Sequence, residues 1–298
     1  MPHVTVRVPA STSNLGPGFD CLGVALRIYN NVTVRRGGAE WKSIMMREAA
    51  DFFFQRSACR PFAFTAKITG DVPTSRGLGS SVTVRLGILH GLNLLADRPL
   101  PRAEIFQICA ELEGHPDNAA PAEFGGFNVA RAWSATRCRR DDPRADRAAR
   151  SSFTRQRFAV SSALKFILLI PDFEVRTSAA RALLPRSIPR KGAIDSCGNA
   201  CTITAAFASG QYQNLRGAFR DHLHQPYRKQ LVPFFDDAVS AAEDAGALGA
   251  FLSGSGSTIA AVALGGAQKV AAAMAVVSKD ARVIVATADN RGAHIVSR

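Results

Sequence analysis

The chain has 298 residues, 47% of them hydrophobic, with 24 Gly and 15 Pro, a composition that excludes a disordered polymer and suffices for one large core or two moderate ones. No apolar run approaches the about 18 residues a membrane-crossing helix needs, and the start, "MPHVTVRVPA", alternates like a strand rather than reading as a secretion signal. The formal net charge is +13, and nine Arg against three Asp fall between Arg131 and Arg157. That basic run has little aromatic interleaving and no periodicity, so it reads as a solvated loop over 134–157 rather than a nucleic-acid surface.

In chain order, Val4, Val6 and Val8 mark a half-buried strand over 3–8, and "PASTSNLGPGFD" (9–20) follows as a turn. A second strand is expected at 31–35, a helix at 44–56 and a strand at 62–69. A loop rich in Gly and Ser, "VPTSRGLGSS", then opens a helix from Ser80 to Ala96, whose Val82, Leu86, Leu89, Leu92 and Leu95 recur at helical spacing. A helix over 102–113 ends in "EGHPDNAAP", and strands are expected at 126–131 and 165–171. The remainder predicts helices at 177–184, 195–208, 211–223 and 234–245, a strand at 246–252 running into "SGSGS", a strand at 258–264, a helix at 266–278 and a strand at 281–287. This pattern is α+β, without strict βαβ alternation. The boundary between two domains, 1–157 and 158–298, is expected at the end of the basic run.

The six cysteines (Cys21, Cys59, Cys109, Cys138, Cys197 and Cys201) include no C-x-x-C pair. Cys197 and Cys201, four apart, share a helix face and read as buried small residues; all six are expected to be unpaired thiols. His222 and His224, two apart on an expected helix, would point in different directions, which disfavours zinc.

The loop at 73–83 lacks the Lys-Ser/Thr of a Walker motif and the spacing of a dinucleotide fingerprint. It still has the parts of an anion site. Gly77 and Gly79 can take positive φ, and Ser80 and Ser81 stand at a helix N-terminus, where free N–H groups favour phosphate. Ser80 is equally readable as a plain N-cap. Two further Gly/Ser-rich segments, "STSNLGPGFDCLG" and "LSGSGSTIAAV", lie near the two ends of the chain.

These three segments together resemble the GHMP small-molecule kinases. "EGHPDNAAPAEFGGF", "IPDFEVRTSAARALLP" and "HQPYRKQLVPFFD" resemble the homoserine kinase branch of that family. The resemblance covers about residues 3–130 and 164–290. It implies an N-terminal domain like ribosomal protein S5 domain 2, a ferredoxin-like C-terminal domain, and phosphoryl transfer from ATP to the side-chain hydroxyl of L-homoserine, a step of threonine biosynthesis. By the same resemblance, Pro73, Thr74, Ser75, Arg76, Gly77, Leu78, Gly79, Ser80, Ser81, Val82 and Thr83 would wrap the triphosphate, and Ser81 and Glu113 would contact Mg²⁺. Asn14, Asp20, His115, Asn118, Thr177, Arg181 and Arg228 would form the amino-acid pocket, with Asn118 and Arg181 as the catalytic pair. Asn118 stands where many GHMP relatives carry an aspartate base, so direct attack by the hydroxyl is implied.

Without the resemblance, Arg181 and Arg228 read as surface residues and His115 as a loop histidine. Val82 and Thr83 depart from the small residues usual after Ser-Ser, and the region after Val34 is short for the family, which implies a trimmed adenine pocket. The expected protein is cytoplasmic, acts on a small molecule, contacts neither membrane nor nucleic acid, and is compatible with a homodimer. Two alternatives stay open: a GHMP kinase for another alcohol, and an inactive nucleic-acid-binding relative.

Overall fold

A computed structural model describes residues 2–38, 43–133 and 152–297. Strand β1 (His3–Ser13) starts with the expected alternation but does not stop at Val8. A register shift at Pro9/Ala10 accommodates the proline, and the strand continues with both faces buried. The turn therefore shrinks to 14–21, and β2 (Leu22–Arg36) begins nine residues before the expected start. Its hairpin with β1 turns through positive φ at Asn14, Leu15, Gly16 and Asp20.

Helix α1 (Ile44–Ser57) buries Ala49, Ala50, Phe53 and Phe54. Strand β3 (Phe64–Gly70) pairs with β2. Helix α2 (Ser80–Leu95) lies on this sheet at close range, because Gly87 and Gly91 face Val32 and Val34 where a Cβ would come within 2.4 Å of a valine carbon. Helix α3 (Arg102–Glu113) ends at Gly114, left-handed at φ 79. The short α4 (Ala119–Phe124) was not expected, because Pro121 lies inside it; the proline occupies the first turn, where its missing N–H costs no helical bond.

Strands β4 (Phe127–Trp133) and β5 (Ser152–Phe158) form a ladder, which corrects the reading of 134–157 as a solvated loop. Phe153 is buried, its backbone exchanges hydrogen bonds with Gln107, the Arg155 guanidinium lies over the Phe124 ring, and Arg157 donates to carbonyls of Phe124 and Gly125. Residues 134–151 of the run lie outside the described residues.

After β6 (Lys165–Ile170) and α5 (Thr177–Ala182), helix α6 (Arg190–Ser209) starts five residues before the expected 195. The helix expected at 211–223 is absent. A 3-10 turn, Tyr212–Leu215, is followed by Gly217 at φ 76 and then by an Asp221 carboxylate that accepts three successive backbone N–H groups, from Leu223, His224 and Gln225. Then come α7 (Gln225–Arg228), α8 (Phe235–Asp244), β7 (Gly249–Leu252), β8 (Ile259–Ala263), α9 (Ala267–Val277), β9 (Arg282–Thr287) and β10 (His294–Ser297).

The strands form two sheets with antiparallel ladders. One has order β10-β1-β2-β4-β5, with β3 also on β2; the other has order β7-β8-β6-β9, the ferredoxin-like arrangement. A shared apolar core joins them: Val24 and Phe127 from the first sheet and Phe166 and Val262 from the second pack with Phe207 of α6, whose ring stacks on Phe127 at 4.2 Å. Among the described residues no helix is long and apolar enough to cross a membrane. Cys109 is buried, whereas Cys197 and Cys201 are exposed, contrary to expectation, because α6 turns that face outward; Cys138 lies outside the described residues.

Glu123, on α4, is fully buried, its carboxylate held by His90 at 2.8 Å and Arg102 at 2.5 Å. Burial alone would raise its pKa, but His90 and Arg102 hold it below the ordinary carboxylate value. A depressed folded-state pKa contributes stability above the unfolded value that is lost as pH falls through the folded one. Glu123→Gln should therefore cost about 3 kcal/mol at neutral pH, leaving His90 and Arg102 without their anion. Its urea-denaturation stability should also fall less steeply than wild type on acidification below about pH 4.5.

Candidate functional site

Three Gly/Ser segments, far apart in sequence, meet at the N-terminus of α2. Ser11 N–H donates to Leu78 O at 3.2 Å, Ser253 Oγ to Gly77 O at 2.7 Å, Thr258 N–H to Arg76 O at 3.2 Å, and Gly254 N–H to Ser13 O at 3.1 Å. The glycines permit this contact. Gly77 and Gly79 sit at φ 73 and 68, and an added Cβ would lie 2.1 Å from Ser253 O or 2.3 Å from Ser11 Oγ. Gly79 is the N-cap of the 16-residue α2, so the free N–H groups of Ser80 and Ser81 open on a cavity of about 500 Å³.

Of the loop residues, Thr74, Ser75, Arg76, Gly77, Gly79, Ser80 and Ser81 line that cavity. The others turn away from it, which narrows the expectation that all of 73–83 wrap a ligand. Leu78 and Val82 are core residues, Thr83 accepts from Asn30 and donates to Ser80 O, and Pro73 lies off the wall. The departures at Val82 and Thr83 are thus packing choices beneath the loop.

Ser81 Oγ donates to Glu113 Oε2 at 3.0 Å across the α2–α3 interface, while the other carboxylate oxygen meets Arg85. Two hard oxygen donors beside a helix N-terminus fit a small divalent cation completed by phosphate oxygens. A second cluster, Asp20, His115 and Asp117, also has ligand atoms within 4.8 Å of one another. Its groups are already engaged: Asp20 with Arg181, and His115 with Asp117 at 2.5 Å. Burial alone would lower the His115 pKa, but Asp117 raises it; burial alone would raise that of Asp117, but His115 and hydrogen bonds from Ser13 and the Asn118 N–H lower it. Each partner thus favours the charged form of the other.

Asn118 faces the cavity with both ends of its amide fixed. Ser11 Oγ donates to Oδ1 at 2.8 Å, and Nδ2 donates to Ser13 Oγ at 2.9 Å. Alternation along β1 puts Ser11 and Ser13 on one face, a signal present in "STSN" that the sequence reading did not use. Asn14 is spent on structure: Nδ2 donates to Gly254 O and Oδ1 accepts the Asp20 N–H, which holds the Asp20 turn in place. Thr177 begins α5 at the cavity wall, 3.4 Å from Ser255 Oγ.

The two arginines differ from their reading as surface residues. Arg181 is about one-third exposed and makes a bidentate pair with Asp20 at 2.7 and 3.0 Å. Arg228 is 2% exposed and donates only to carbonyls, of Ala180 and Gly254, at 3.3 and 3.2 Å; its guanidinium lies over the Phe19 ring. Among the described residues no carboxylate comes within 4 Å of it. Burial, and then Arg181, depress its pKa to about 10. Burying a cation without a counter-ion is costly, and an anion in the cavity would relieve that cost. His224 is also buried but bonds Gly16 O and stacks on Phe19, while the half-exposed His222 faces Asp195, so the two form no shared metal site.

Sequence reasoning also missed an apolar part of the cavity lining, made by Met45, Met46 and Ile68. Residues 39–42, part of the segment read as short for the family, lie outside the described residues.

The "GHMP kinases N terminal domain" family matches residues 44–126 and "GHMP kinases C terminal" matches 203–277. The chain is 36% identical over 273 residues to a homoserine kinase of Caldicellulosiruptor bescii, covering 87% of this chain and 84% of that one. It is 33% identical over 309 residues to a homoserine kinase of Clostridium botulinum, covering 98% of each. Its structure is similar to the crystal structure of homoserine kinase from Cytophaga hutchinsonii, with TM-score 0.84, 25% identity, and 99% and 98% of the two chains covered.

The close approach at Gly77 gives a direct test. Gly77→Ala puts a Cβ into the Ser253 carbonyl at a positive φ, so the loop must leave its seat. Affinity for a nucleotide triphosphate should fall by about 100-fold or more, measured by calorimetry, with a loss of about 1–3 kcal/mol in stability.

Proposed function

We propose that this chain, which belongs to the homoserine kinase family of the GHMP kinases, transfers the γ-phosphoryl group of ATP to the side-chain hydroxyl of L-homoserine, giving O-phospho-L-homoserine and ADP. The observation that carries the substrate assignment is Arg228, a buried guanidinium with no carboxylate within 4 Å among the described residues, at the wall of a cavity that the Asp20 carboxylate also lines. An amino acid brings both matching charges. Its carboxylate fits Arg228 and Arg181, and its ammonium fits Asp20, which in the free protein is neutralised by Arg181 instead.

The remaining assignments follow from the same wall. The first-turn N–H groups of α2 and the backbone of Arg76–Gly79 hold the triphosphate, and Met45, Met46 and Ile68 face the base. Ser81 and Glu113 are the oxygen donors for Mg²⁺, which when bound neutralises charge on the transferring phosphoryl group. Asn118 orients the attacking hydroxyl. It is no base, because an amide does not take a proton at neutral pH, and the loose transition state lets the hydroxyl keep its proton until late. His115, held by Asp117, lines the same space.

This reading divides the chain at 157/158, one residue before the end of β5, into an S5-like N-terminal domain and a ferredoxin-like C-terminal one, with β10 returned to the first sheet. A cytoplasmic location is part of the same reading.

An assay of ADP release across homoserine, mevalonate and galactose tests it: turnover should be confined to homoserine, and turnover on either other alcohol instead would overturn the assignment. Arg181→Leu and Arg228→Leu should each raise KM for homoserine about 10- to 100-fold and leave KM for ATP within about threefold. Asn118→Asp should lower kcat, since it sets a second carboxylate beside Asp117 and facing the triphosphate. A kcat above wild type across about pH 6–9 would mean that proton removal limits the reaction.

A further inference from the structure

Arg85 is largely buried against Glu113. It stands one helical turn after Ser81 on α2, so the two side chains point the same way, toward α3. Its Nη1 meets Glu113 Oε1 at 2.5 Å and its Nη2 meets Glu48 Oε2 at 3.2 Å. The side chains of Arg85 and Glu113 are only 13% and 10% exposed, and Arg85 Nε has no hydrogen-bond partner. The guanidinium is therefore committed to two carboxylates on two other helices. Glu48 lies on α1, one turn beyond Met45 and Met46 of the cavity wall.

We propose that Arg85 is a positioning residue that serves as the resident counter-cation of Glu113, so that the Ser81–Glu113 site takes a divalent cation only when nucleotide phosphates arrive with it. This rests on the assignment of Ser81 and Glu113 to the cation.

The geometry sets both halves of the role. Glu113 has two oxygens; Arg85 takes Oε1 and leaves Oε2 directed at Ser81 Oγ. Orientation is thus fixed before any ligand enters. The charge is settled as well. A lone carboxylate this buried would attract free divalent ions strongly, but a guanidinium in contact with it cancels that field at the distance of a coordinated ion. What remains is a preset oxygen donor with little net charge, adequate only for an ion that brings phosphate ligands of its own. A guanidinium keeps its charge at any working pH, so the counter-cation is permanent. Through Glu48 the same guanidinium ties this carboxylate to the helix that walls the cavity.

The test measures Mn²⁺ binding to the full chain without nucleotide, from the electron paramagnetic resonance signal of the free ion. Arg85→Met and Arg85→Gln remove the charge, and the Gln keeps a donor for Glu113. Both should bind Mn²⁺ at least about tenfold more tightly than wild type, and adding Glu113→Gln to either should return the affinity to the wild-type level. Without cations, Arg85→Met should melt below wild type, and Mn²⁺ should restore much of the loss. If Arg85→Met fails to fold, Arg85→Gln decides. Equal or weaker Mn²⁺ binding in the single variants, or tight binding that survives Glu113→Gln, would overturn the proposal. These readings need no substrate, so a wild-type chain that failed to phosphorylate homoserine would sink the proposed function and leave the Arg85 result standing.

Discussion

Everything in the site depends on how closely the loop before α2 approaches the chain segments that flank it. Gly77 lies against the Ser253 carbonyl and Gly79 against Ser11 Oγ, at separations that leave no room for a Cβ. Hydrogen bonds then lock the three segments to one another. One is the end of the first strand, one precedes α2, and one lies between β7 and β8, so the contact joins the two sheets at the point where the helix N-terminus opens. The shared apolar core beneath it, with Phe127 on Phe207, makes the junction rigid. A cavity floor built from backbone rather than from side-chain tips has few ways to relax, which suits a site whose chemistry is placement and charge neutralisation.

Among the described residues most buried charge at this cavity is paired, and the buried cation that lacks a carboxylate is informative. Asp20 has Arg181, Asp117 has His115, and Glu113 has Arg85. Arg228 has only carbonyls. Desolvating a guanidinium in this way is unfavourable for the folded chain by itself. The stacking of Phe19 beneath both arginines offsets part of the cost and holds their planes in place. The folded chain therefore holds a buried guanidinium without a carboxylate partner next to the Asp20–Arg181 ion pair.

Much of this was legible in the sequence, but unevenly. Helices with a clear apolar stripe, such as α2 and α3, stand within a residue of where periodicity puts them, because burial of one face fixes both their type and extent. Periodicity failed where another force took over. β1 outruns its alternation because a bulge carries Pro9 and both faces are covered; the segment after Tyr212 is not helical because the Asp221 carboxylate gathers N–H groups that a helix would use; and β5 is hidden in a basic run because its arginines lie over Phe124 and bond carbonyls. In the site, the glycines and hydroxyls of the loop suggested an anion cradle, a reading that needed the two other Gly/Ser-rich segments beside it. The roles of Ser11, Ser13 and Arg85 did not show, since each acts by holding another residue, and such partnerships across 107, 105 and 28 positions leave no local pattern.

The last strand has a wider consequence. β10 leaves the C-terminal sheet and pairs antiparallel with β1, Thr5 opposite Ser297, so the first and last strands lie side by side. It is the outer strand on that flank of the six-stranded sheet. A chain shortened before Ala293 would leave β1 with a bare row of amides and carbonyls along Thr5–Arg7, in a strand otherwise rich in valine. Such an edge is a template for pairing with other chains. The four residues His294–Ser297 thus act as a seam that keeps the first strand from joining its neighbours in solution, and their loss would be felt first as self-association rather than as a defect in catalysis.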